Sequence, residues 1–135
     1  MNVHALLLAD SAQAVDGKLY ILGGAWSMVT AATFPTQHPL GIAVAIDVGW
    51  NETNQSNHVE LFVEDADGKR FENPRIEADF EAGRPPGLPA GSEQRVVFAF
   101  NGAIEIPSAG SYALVLKLGG SELARTRFTA VARAK

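Results

Sequence analysis

The sequence predicts an all-β fold, an antiparallel β-sandwich of about seven to nine short strands separated by turns every 8–12 residues. Two runs carry the prediction. Ile42, Val44, Ile46, Val48 and Trp50 alternate with Ala43, Ala45, Asp47 and Gly49, and Tyr112, Leu114, Leu116 and Leu118 leave Ser111, Ala113 and Lys117 on the other parity. A period of two puts one set of side chains on each face of an extended strand, so each run is half-buried. The third observation is negative: no window of about 11 residues shows a helical stripe.

Taken in order, Val3 to Asp10 is apolar on both parities, because Val3, Ala5, Leu7 and Ala9 interleave with Leu6 and Leu8. Such a strand is covered on both faces, by its own domain or by another chain. Val15-Asp16-Gly17-Lys18 reads as a turn whose Asp-Gly pair suits left-handed geometry, and Leu19 to Leu22 follows as a strand. Gly23-Gly24 interrupts that run as a bulge or a close backbone approach; no helix pattern follows, which argues against a phosphate loop. Ala25 to Thr30 resumes the extended chain, carrying Trp26 and Met28. Thr33 to Pro39 is a loop by its prolines.

After the strand ending at Trp50, Asn51 to Asn57 is a polar loop. Val59, Leu61 and Val63 then alternate with His58, Glu60, Phe62 and Glu64, and Asp65-Ala66-Asp67-Gly68-Lys69 is a hairpin turn leading into a strand through Phe71. From Arg75 to Gln94 the periodicity fades, and Arg84 to Gly91 concentrates prolines and glycines as a long connection between two sheets. Val96 to Phe100 alternates again. Pro107-Ser108-Ala109-Gly110-Ser111-Tyr112 places a tyrosine just inside a strand after a Pro/Gly corner, where its hydroxyl can bond back to upstream backbone. Gly119-Gly120 then supplies the turn that returns the chain as a last strand, Leu123 to Val131.

With 135 residues the chain fits a single domain spanning 1–135, long enough to bury a core without staples. Zero cysteine excludes disulfides, thiol catalysis and thiolate metal sites, and suits a reducing compartment. A net charge of −4 with interspersed signs leaves no basic stripe for nucleic acid or anionic membrane. The apolar run from Ala5 to Ala9 has no preceding Lys or Arg and is shorter than the ~7 residues of a signal-peptide core. Asp10 ends it far short of the ~20 residues of a membrane span, and a cytoplasmic location is expected.

Seven short stretches resemble a family of small bacterial proteins known as a domain of unknown function. They are Ala5-Leu6-Leu7-Leu8-Ala9-Asp10, Gly17-Lys18-Leu19, Gly23-Gly24, Asp65-Ala66-Asp67-Gly68, Pro86-Gly87-Leu88-Pro89, Pro107-x-x-Gly110-x-Tyr112 and Gly119-Gly120-x-x-Leu123. The resemblance covers nearly the whole chain. It implies a cytoplasmic, immunoglobulin-like Greek-key sandwich, and it brings no activity or site residues with it.

Chemistry is sparse. His4, His58 and Asp10 would make a metal site if their strands were neighbours, and Glu64, Asp65 and Asp67 are the best cation candidates, set against a reading in which Asp67-Gly68 simply forms the hairpin. No G-x-S-x-G elbow is present for a hydrolytic triad. Asn51-Glu52-Thr53 and Asn54-Gln55-Ser56 match the glycosylation pattern, which means nothing without a secretory route. Arg125 and Arg127 share one face of the last strand, as holders of an anion or a partner's carboxylate, or as charges that protect a sheet edge. Trp26, Met28 and Phe34 are either core or an apolar patch beside Gly23-Gly24, and Phe62, on the outward parity, is expected to be exposed.

The expected function is therefore a non-catalytic protein-interaction module, acting as a homo-oligomer or as an accessory subunit of a larger bacterial assembly. Leu6, Leu8, Trp26, Met28, Phe34, Phe62, Arg125 and Arg127 are the candidate contacts, with no cofactor, metal, nucleic acid or membrane insertion. The alternative is a small-ligand or carbohydrate module that stacks its ligand on Trp26, Trp50 or Tyr20.

Overall fold

A computed structural model describes residues 1–133, and among them lie ten strands and one short 3-10 turn, Trp50–Glu52. The strands are β1 (Asn2–Ala9), β2 (Ser11–Val15), β3 (Lys18–Leu22), β4 (Met28–Ala31), β5 (Thr36–Val48), β6 (Ser56–Asp65), β7 (Arg70–Glu81), β8 (Gln94–Ile106), β9 (Gly110–Leu118) and β10 (Ser121–Ala132). One sheet has the order β1-β5-β8 and is antiparallel. The second has the order β4-β10-β9-β6-β7 and is mixed, because β4 runs parallel to β10. The third is the β2–β3 hairpin.

Alternation decides what lies between the two larger sheets. Ile42, Val44, Ile46 and Val48 of β5 point inward with Leu8 of β1 and Ile104 and Ile106 of β8. They meet Val59, Leu61 and Val63 of β6, Leu114 and Leu116 of β9, and Tyr112, Phe128 and Ala130 in the same buried cluster. Burying an aliphatic or aromatic side chain of this size stabilises by about 1.5–3 kcal/mol. Since the side-chain period is two, a slip of one residue would turn such a set outward, so the pattern also fixes the register.

Three differences from the sequence reading have local causes, and the first of them, β2, raises the strand count above seven to nine. β2, Ser-Ala-Gln-Ala-Val, has no large alternating side chains; it is extended because the Asp16-Gly17 turn (φ +52° and +72°) returns it onto β3 and because Asn101 holds its other side. β5 begins at Thr36 inside the expected proline loop; β1 pairs with β5 only as far as Gly41, so Pro39 has no neighbour on that side that needs its missing N–H. β7 runs on to Glu81, with Ile76, Ala78 and Phe80 packed toward the core between Arg75, Glu77, Asp79 and Glu81.

Gly41 sets the position of the hairpin. Its missing side chain lies on the outer face of β5, where a Cβ would come within 3.1 Å of the Ala9 carbonyl oxygen and of the Ser11 backbone. The chain turns at Asp10 and crosses over β5 there. It then meets β8, where Ala12 N–H donates to Asn101 Oδ1 (2.9 Å) and Asn101 Nδ2 donates to the Ala12 carbonyl (2.7 Å). A side-chain amide thus imitates a neighbouring strand. No helix among the described residues is long and apolar enough to cross a membrane.

Candidate interaction surface

Several residues expected on a contact face lie elsewhere. Leu8 is 1% exposed and Leu6 packs against the same core, so the inward parity of β1 is filled by its own chain. Phe62 does point outward, opposite Val59, Leu61 and Val63, yet it is 2% exposed. It forms an outer cluster with Ala113 and Val115. The Arg70 guanidinium lies 3.9 Å over its ring and Lys117 Nζ 5.8 Å from the ring centre. Glu60 holds Arg70 (3.4 Å) and Arg75 (3.0 Å) beside it, so aliphatic stems and paired cations roof an aromatic that parity alone would leave wet.

Trp26 and Met28 part company. Trp26 precedes β4 in irregular chain, so strand parity does not govern it; its ring meets His38 edge-on at 5.0 Å and Phe128 at 5.6 Å, and its Nε1 is buried without a hydrogen-bond partner. Met28 opens β4 on the outward parity and is 59% exposed, while Val29 and Ala31 are buried. Phe34 is half-buried against the core. Arg125 sits between Glu64 (2.9 Å) and Glu122 (2.6 Å), and its hydrogen bonds with Glu122 raise the guanidinium pKa further and lower that of Glu122. β4 pairs with β10 only from Thr129 to Ala132, so Arg125 and Arg127 lie on a stretch of β10 whose one paired strand among the described residues is β9, which leaves them beside an open sheet edge. Arg127 remains exposed.

The metal candidates are not assembled either. His4 lies on β1 and His58 on β6, in different sheets, and Asp10 packs against Gly23. Asp65 Oδ1 accepts from the N–H groups of Asp67 and Lys69, both at 2.9 Å, and so closes the β6–β7 turn together with Gly68 at φ +80°. Among the described residues no three histidines or acids are grouped to hold a metal ion. Of the proposed stacking platforms, Trp50 has the Arg84 guanidinium 3.8 Å over its ring, fixed by donation to the Trp50 carbonyl (2.7 Å) and to Thr53 Oγ1 (2.6 Å).

His58 is instead one of a pair on the sheet surface, with Nδ1 2.7 Å from Asp79 Oδ1. That hydrogen bond raises the imidazole pKa above 6.5. A raised folded-state pKa stabilises fully below the unfolded value near 6.5 and ceases to do so as pH rises through the folded one. An NMR titration is expected to place the His58 midpoint above 6.5 in the native protein and lower in Asp79→Asn. Equal midpoints would show that the pair has no effect.

The surface that sequence reasoning missed is the β2–β3 hairpin. Its pairing puts Ala12, Ala14, Leu19 and Ile21 on one face and Ser11, Gln13, Val15, Lys18, Tyr20 and Leu22 on the other. The first face holds the fully buried Ala12 and the half-buried Leu19 and Ile21. On the second, Val15, Tyr20 and Leu22 are 45%, 55% and 72% exposed, three of the six exposed large hydrophobic residues among those described. The signal was available: Leu19-Tyr20-Ile21-Leu22 is apolar on both parities, and a two-stranded sheet lying on a body can bury one face only. At its base, Asp10 N–H donates to the carbonyls of Leu22 and Gly23 (both 3.1 Å), and Gly23 takes φ +59° where a Cβ would overlap the Asp10 carboxylate.

Fold and surface together define a class: an all-β protein with two principal sheets around a shared core, carrying a hairpin whose outer face holds three apolar side chains open to solvent. Within that class the chain belongs to the family described as a family of unknown function (DUF6941), which matches residues 4–131. No curated protein matches it.

Proposed function

We propose that the protein is a non-catalytic interaction module, acting as a homo-oligomer or as an accessory subunit of a larger assembly, and that the outer face of the β2–β3 hairpin makes the contact. One observation carries this reading: Val15, Tyr20 and Leu22 share a face that the other described residues leave uncovered although its opposite face is docked. Apolar clusters of this kind mark sites where another macromolecule completes the burial. Met28 and Arg127 remain available as further contacts from the earlier set, whereas Leu6, Leu8 and Phe62 serve the chain itself. The small-ligand alternative is supported by Tyr20 alone, because the rings of Trp26 and Trp50 are engaged within the chain.

We also propose that the fold is an immunoglobulin-like Greek key. The sheet orders β1-β5-β8 and β4-β10-β9-β6-β7 suit an immunoglobulin-like Greek key whose first segment is split between the sheets. The Tyr112 hydroxyl, donating to the Ser108 carbonyl at 2.6 Å where β8 passes to β9, supports it. A bacterial cytoplasmic setting is consistent with the cysteine-free composition.

The test is photocrosslinking in cells with a benzophenone amino acid at Leu22, against the same probe at Asn51, exposed in the 3-10 turn. Protein adducts are expected from position 22 and not from position 51. A hairpin that yields no adduct, or none beyond the control, would defeat the proposal.

A further inference from the structure

Resting on the reading that the hairpin works by protein contact, we propose that its partner is a second copy of this chain. β3 pairs antiparallel with β3 of the second copy, joining two hairpins into one four-stranded sheet about a two-fold axis beside Tyr20. In a two-residue hairpin the residues flanking the turn exchange hydrogen bonds, and every second pair does so after them. Val15/Lys18, Gln13/Tyr20 and Ser11/Leu22 are therefore the bonded pairs, in keeping with the Leu22 carbonyl, which faces inward to accept from Asp10 N–H. The backbone groups of Ala12, Ala14, Leu19 and Ile21 point away from the hairpin. On the β2 side the consequence is visible, since both outward groups of Ala12 are taken by Asn101. On the β3 side the N–H and C=O of Leu19 and Ile21 find no partner among the described residues.

Three other edges are guarded. β7 is blunted by Arg75, Glu77, Asp79 and Glu81 along its outer face, β1 has an irregularity between Val3 and Ala5, and β4 has four residues. Charges, breaks in register and short length are how proteins discourage edge pairing, and from Leu19 to Leu22 the β3 edge has none of them. With Tyr20 opposite Tyr20 of the second copy, Leu19 meets Ile21 and Ile21 meets Leu19. The open groups of both copies are then all satisfied, and the two tyrosines face each other at a non-bonded position, where side chains approach closest. An axis beside Ile21 would set Leu19 against Gly23, whose carbonyl already accepts from Asp10; an axis beside Leu19 would set Ile21 against the turn residue Gly17.

Charge agrees with this register. It places Lys18 opposite Leu22 of the second copy and next to its Gly23, against which the Asp10 carboxylate is packed. The cation at each hairpin tip therefore meets the acid at the other hairpin's base, twice by symmetry, whereas parallel pairing would bring the two lysines together.

Light scattering over a concentration series of the full chain is expected to rise from 14.3 kDa toward twice that mass. Ile21→Pro removes an outward N–H that bonds nothing among the described residues, and should leave a monomer with an unchanged β-type circular dichroism spectrum. Because proline can also distort the strand, a second pair is needed: Lys18→Asp should weaken the dimer by on the order of tenfold, and adding Asp10→Lys should restore it. A monomer at every concentration, or a dimer indifferent to both Ile21→Pro and Lys18→Asp, would overturn self-pairing. A Leu22 crosslink whose mass differs from two copies of the chain would also overturn it while keeping the contact reading, and absence of any adduct would end both.

Discussion

Phe128→Ala should destabilise the protein by about 3–5 kcal/mol, the range for removing a buried aromatic whose neighbours cannot close the void. Phe128 is 1% exposed, stacks on Tyr112 with ring centres 5.5 Å apart and planes 21° apart, and receives the edge of Trp26 at 5.6 Å. Neither neighbour is free to fill the space. Tyr112 is tethered through its hydroxyl to the Ser108 carbonyl, and the other side of Trp26 is set against His38. Urea unfolding followed by tryptophan emission is the measurement, and the native-state emission of the variant should also shift as Trp26 loses its packing. A loss of less than about 1 kcal/mol would mean that the core collapses around the gap and that the aromatic trio is not a rigid unit.

Asn101→Leu should cost about 2–4 kcal/mol, and its effect should be local where that of Phe128→Ala is global. The amide side chain satisfies both the N–H and the C=O of Ala12, a residue 1% exposed, and a leucine would leave two buried backbone groups without partners at about 1–3 kcal/mol each. Part of that cost is avoided if β2 lifts away to let water in, so hydrogen exchange is the sharper readout. Amides of the β2–β3 hairpin should lose protection while those of β5 and β9 keep it. Hairpin amides that remain as protected as in the native protein would show that the Gly41 crossing holds the hairpin without Asn101.

Which parts of this were legible in the sequence follows from where the determinants sit. Ile42 to Val48 and Tyr112 to Leu118 were legible because β5 and β9 are central strands with one face in the core, and burial then writes itself as a period of two. The turns at Asp16-Gly17, Asp67-Gly68 and Gly119-Gly120 were legible because positive φ demands particular residues; Gly119 and Gly120 take +57° and +85°. Phe62 was half legible: parity gives its face, but its burial comes from Arg70 across the β6–β7 turn and Lys117 on β9. β7 was obscured because its three inward apolar residues sit among charges and next to Pro74. Asn101 was not legible at all. Its partner is 89 positions away, and nothing in a local window marks an asparagine that replaces a strand. Leu6, Leu8 and Phe62 were put on a contact face although their apolar character serves their own chain, while Tyr20 was singled out only as a stacking platform and Leu22 was read as part of an ordinary strand.

The parallel alignment of Met28 to Ala31 with Thr129 to Ala132 joins stretches about a hundred residues apart in the chain. Closing so long a loop before any gain from pairing is entropically expensive, so this part of the sheet belongs to the end of folding. During synthesis β4 must wait, unzipped, until the last strand has cleared the ribosome exit tunnel, and over that interval the nascent domain exposes Val29 and Ala31 as a sticky margin that a chaperone is well placed to shield.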